Sequence, residues 1–97
     1  MLTYEDVKAA GKLWEGQYAA IPEATRDSMM AYVEDRREPS GFLSAVICNN
    51  LINAVCKADK HNFLVIKEIA QWFYNVAPER CFGSPEKMSS WLKREAA

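Results

Sequence analysis

Only one histidine, His61, occurs in the chain, and its three cysteines, Cys48, Cys56 and Cys81, include no pair at the short interval of a zinc site. A metal centre is therefore not expected. There is no G-x-G-x-x-G and no Walker lysine, which excludes the familiar glycine cradles for phosphate. No run approaches the roughly 20 apolar residues that span a bilayer, and the opening "MLTYEDVKAAGKLW" lacks a basic stretch followed by an apolar one, so neither membrane insertion nor secretion is expected. Charge of one sign is not in excess: 12 Lys and Arg face 13 Asp and Glu, a net charge of −1. That balance argues against general DNA or RNA binding, which needs a broad basic face. A thiol nucleophile wants a base and an electropositive setting. Cys48 and Cys56 sit among apolar residues instead, and Cys81, beside Arg80, reads as a small residue plugging a loop against the core. An odd number of apolar, reduced-looking cysteines points to the cytoplasm. With no nucleophile and base, no metal and no cofactor motif, the chain is not expected to be an enzyme.

What is present is ordinary globular composition, 49% apolar and 26% charged, over 97 residues. This is one domain, residues 1–97, and a chain of that size buries only roughly 60–65% of its unfolded surface. Apolar spacing predicts an all-α bundle of about five helices. The first runs from about Thr3 to Gln17, capped by Thr3 with Glu5 and Asp6 in its first turn; Gly11 weakens the pattern without ending it. Pro22 suits the first turn of a second helix, about Pro22 to Arg37. Ser40 caps a third, central and apolar over about 41–57. A fourth starts at Asp59 or Asn62 and ends at Tyr74. Ser84-Pro85-Glu86 opens a fifth, about Pro85 to Arg94.

The central helix poses a question. In "SGFLSAVICNNLINAVCKAD" the greasiest stretch of the chain holds Asn49, Asn50 and Asn53. On a continuous helix Asn49 and Asn53, four apart, share a face, and Asn50 lies at its edge. They tie loops within the fold, or line a seam between subunits, or face a pocket where amides read a polar ligand. Arg36 and Arg37 stand before the helix start at Ser40 and Gly41, a place where backbone N–H groups meet anions. Tyr74, Asn75 and Ser84 flank the loop between the last two helices.

The strings "GFLSAV" with Asn49, Ala58-Asp59 with Asn62, and "YNVAPERCFGSPEKMSSW" resemble a widespread group of small tailed-phage and prophage proteins. Members look like G-x-F-L-x-A-V-L-x-N-D-L, A-D-x-x-N and Y-N-x-A-P-x-x-C-W-G-S-P-x-x-V-x-x-W. The similarity spans about Tyr32 to Leu92; Asn50 stands where the pattern has aspartate and Phe82 where it has tryptophan. The resemblance implies a setting more than an activity, since small non-enzymatic phage proteins commonly neutralise something of the host.

The expected function is accordingly a counter-defence accessory protein that forms a homo-oligomer and sequesters a small anionic ligand, such as a cyclic nucleotide signal. Arg36, Arg37, Ser40, Gly41, Asn49, Asn53, Tyr74, Asn75 and Ser84 are its expected ligand-binding residues. The alternative is an inhibitor that docks a helix face onto a host protein. Self-association is expected because a thin core must cover Phe42, Val46, Ile47, Leu51, Ile52 and Val55 from all sides.

Overall fold

The computed structural model describes residues 3–93, and all regular elements among them are helical. Thr3 starts α1 (Tyr4–Ala9) with a reciprocal cap: its hydroxyl accepts the Asp6 N–H at 3.2 Å while the Asp6 carboxylate accepts the Thr3 N–H at 3.1 Å. The helix then stops well short of Gln17. Gly11 takes φ +71°, its N–H donates to the Lys8 carbonyl, and the Lys12 N–H reaches back to Val7, the paired bonds of a Schellman ending. The glycine thus terminates the helix despite the apolar rhythm that continues beyond it. The chain proceeds irregularly to a 3-10 turn at Gly16–Ala20.

Pro22 precedes α2 (Glu23–Asp35) rather than entering it, and Arg36, at φ 59°, closes that helix one residue before the expected Arg37. Ser40 caps α3 (Gly41–Ile47), accepting the Leu43 N–H at 3.3 Å. The rod expected over 41–57 is in fact two helices. Asn49 adopts φ 63°, and Asn50 caps a new helix, α4 (Leu51–Lys57), by accepting the Asn53 N–H at 3.2 Å. Asparagine enters the left-handed region more readily than other side-chain-bearing residues, and its carboxamide competes for local backbone donors. Two in succession therefore break the helix that the surrounding apolar residues favour.

Asp59 caps α5 (Lys60–Leu64) through the Asn62 N–H at 2.7 Å. Val65, at φ −123°, separates it from α6 (Ile66–Asn75), so the expected fourth helix is also divided. A 3-10 turn at Glu79–Cys81 leads to α7 (Pro85–Lys93), where the Ser84 hydroxyl accepts the Lys87 N–H at 3.1 Å. The expected end at Arg94 lies outside the described residues. No helix among them is long and apolar enough to cross a membrane.

The core is shared by α6, whose Ile69, Trp72 and Phe73 are fully buried, with α2 and α3; of the 41–57 segment, α3 buries Phe42, Leu43, Ala45 and Ile47, whereas α4 buries only Ala54. Trp72 stacks on Trp14 with ring centroids 4.9 Å apart and meets Phe73 edge-on at 5.3 Å. Its indole N–H donates to the Leu13 carbonyl at 3.0 Å, pinning the irregular segment after α1. Trp91 of α7 donates likewise to Tyr32 at 3.1 Å, and the Tyr32 hydroxyl donates to the Cys81 carbonyl at 2.6 Å. Trp72, Trp91 and Tyr32 each pair the polar end with a distant segment of the chain, so packing and hydrogen bonding fix the same contacts. The resulting radius of gyration, 12.6 Å, matches the roughly 12.5 Å of a tightly folded chain of this length.

Candidate functional site

An extended concavity lies where the start of α1, the α3–α4 corner and the end of α6 meet. It is an open cleft of about 1160 Å³ whose walls include Tyr4, Glu5, Asn49, Tyr74, Phe82 and Lys87. A smaller groove of about 280 Å³ continues from it between Val46 and Gln71, sharing Asn49, Tyr74 and Phe82. Local backbone rules place each of these groups. Asn49 is at the corner because the chain turns there through the left-handed region. Tyr74 comes from the last turn of α6, one residue past the buried pair Trp72 and Phe73, so helical rotation turns it outward. It is 78% exposed, with its ring edge-on to Phe82 at 6.4 Å. Asn75 follows it and donates through its amide nitrogen to the Tyr18 hydroxyl at 3.3 Å.

Gly83 closes the far wall. Its N–H donates to the Ile47 carbonyl at 2.7 Å, which fastens the loop before α7 to the end of α3. That loop delivers Phe82 to the groove and Lys87, in the first turn of α7, to the cleft rim. The charged groups along the wall are Glu5, Glu79 and Lys87. Tyr4 is held there by donating to the Glu34 carboxylate, which also takes the Lys8 ammonium at 2.7 Å. The Lys8 hydrogen bond, and then that from Tyr4, holds the Glu34 carboxyl below the usual range, while burial first and then Glu34 push the Tyr4 phenol up.

Of the nine expected ligand-binding residues, Asn49, Tyr74 and Asn75 line this cleft, and Ser84 stands next to its Gly83 wall. The others lie elsewhere. Arg36 places its guanidinium 3.3 Å from the centre of the Trp91 ring, and Arg37 is exposed, its N–H donating to the Ala31 carbonyl. Ser40 spends its hydroxyl on the α3 cap, and Gly41 lies under the Lys57 side chain. Asn53 does not share a helix face with Asn49, because the two belong to different segments. Its backbone N–H serves the Asn50 cap.

The cysteines divide three ways. Cys81 is fully buried, and burial pushes its thiol up to about 12. Cys48 lies 3.8 Å from the Met88 sulfur, its thiol also raised by burial. Cys56, which the sequence places among apolar residues, is exposed. Among the described residues no three His, Cys, Asp or Glu side chains gather as a metal site would require.

Sequence reasoning passed over Phe82 and Lys87, although both lie within the "YNVAPERCFGSPEKMSSW" string, and Glu5, which nothing in the sequence places beside α6. Compared with models of protein families, with curated proteins and with solved structures, the chain matches none.

Proposed function

We propose that the chain is a non-enzymatic binding protein, of the phage accessory kind that its sequence resembles, which works as a homo-oligomer. Its ligand combines a flat ring with an anionic group, such as a cyclic nucleotide signal, and is sequestered in the cleft around Asn49 and Tyr74. One observation supports this reading above the rest: Asn49 of the α3–α4 corner and the consecutive pair Tyr74 and Asn75 at the end of α6 converge on one concavity. An exposed aromatic ring stacks on a flat ligand, and amides offer both donors and acceptors to its edge. The Lys87 ammonium, in the first turn of α7, favours an anion at that end, as does the positive terminus of the helix. Glu5 and Glu79 disfavour an anion elsewhere along the wall, so they fix the orientation of a ligand with one charged end.

Calorimetry against a panel of cyclic di- and trinucleotides tests the proposal. Saturable binding to the wild type is expected, weakened by about tenfold or more in Tyr74→Ala and in Lys87→Ala. Both side chains are exposed, so the melting temperatures of these variants should stay close to wild type. An absence of heat with every nucleotide in the panel refutes the proposal.

A further inference from the structure

We propose that the surface formed by α4 and α5 is the docking site for a second copy of this chain. Five large apolar side chains on these two helices are left in solvent: Leu51 is 71% exposed, Ile52 74%, Val55 39%, Phe63 53% and Leu64 73%. Only Ala58 and Asp59 separate the helices. Isolated exposed leucines are normal on a protein surface, but such a density on two consecutive short helices is not.

The helical register makes the exposure systematic. Ala54 is the one residue of α4 that is buried, at 2%. About 180° from it lie Ile52 and Cys56, four residues apart on a single stripe, with Leu51 and Val55 beside them. Asn53 and Lys57 take the other flank. The outward side of α4 is thus apolar where an isolated monomer would place charge.

The amount of surface matches a second copy. At roughly 60–120 Å² of apolar area for each such side chain, the five present about 300–600 Å² in their observed state. Two copies face to face remove about twice that from water, and with a polar rim the total reaches about 1,000 Å² or more, the lower edge of specific interfaces. The rim holds both signs, Asp59 between Lys57 and Lys60, so a two-fold pairing can set acid against lysine.

This inference rests on the homo-oligomer part of the proposed function and not on the cleft ligand, and the two fail separately. Sedimentation velocity of the full chain over micromolar concentrations should show monomer giving way to dimer. The variant carrying Ile52→Glu and Leu64→Glu should stay monomeric, with its circular dichroism retained because both sites are exposed in the monomer and its melting temperature no longer dependent on concentration. A short bis-maleimide should trap the dimer through exposed Cys56 and fail to do so in Cys56→Ser. A wild-type chain that remains monomeric throughout overturns the proposal. So does a dimer that the double variant leaves intact, which would place the seam elsewhere. Co-sedimentation of monomeric protein with phosphatidylserine vesicles, lost in the double variant, would assign the surface to a membrane instead, and capture of a different protein by the monomer would assign it to that partner.

Discussion

The Gly83 N–H and the Ile47 carbonyl meet at 2.7 Å, joining the loop before α7 to the last turn of α3. That bond brings Phe82 into the groove that Asn49 also lines, although more than thirty residues separate the two along the chain. Gly83 makes it at φ +119°, a conformation that side-chain-bearing residues rarely adopt. A Cβ there would find only ordinary contact with Lys87, so the cost of substitution is backbone strain. Gly83→Ala should lower stability by about 1–3 kcal/mol, measured by urea denaturation.

Asn49 allows its backbone and side-chain roles to be separated. At φ 63°, Asn49→Gly keeps the conformation and should leave the urea midpoint near wild type. Asn49→Ala should cost about 1 kcal/mol, since alanine tolerates that region less well. Both variants lack the amide, so both should lose ligand affinity equally if the amide contacts ligand. Unequal losses would mean that the corner geometry matters rather than the carboxamide.

Two caps should register as local stability terms. Asn50→Ala removes the acceptor of the Asn53 N–H at the start of α4, and Ser84→Ala removes that of the Lys87 N–H at the start of α7. Each should cost about 1 kcal/mol in chemical denaturation. If Asn50→Ala is neutral, α3 and α4 tolerate loss of the cap that separates them.

The contact between Tyr4 of α1 and Glu34 of α2 makes stability depend on pH at both ends. Glu34 is held below the ordinary carboxylate value, so its contribution is present above the unfolded-state value and is lost as pH falls through the folded one. Tyr4 is raised, so its contribution is present below the ordinary phenol value and is lost as pH rises through its folded one. Glu34→Gln should flatten the acid limb of a stability–pH profile. Tyr4→Phe should cost about 1–2 kcal/mol at neutral pH through loss of a charge-assisted hydrogen bond. An unchanged acid limb in Glu34→Gln would show that other carboxylates control acid unfolding.

The sequence by itself determined the helical class and several helix starts. Thr3, Ser40 and Ser84 each cap where their side chains and the residues after them predict, and Asp59 is the cap of the two, Asp59 and Asn62, that the sequence offers, because a cap involves only a few consecutive residues. Helix ends and breaks were less legible. Gly11 and the pair Asn49-Asn50 sit within apolar patterns that also suit a continuous helix, and the choice between continuation and a left-handed turn depends on what the following segment packs against. Only the tertiary structure decided that the core takes in α3 and leaves most of α4 outside, that Arg36 lies on Trp91 rather than beside the cleft residues, and that Leu51, Ile52 and Val55 face water. Apolar periodicity identifies a greasy face, but its burial depends on whether another element arrives to cover it, and that is a contact between residues far apart in the chain.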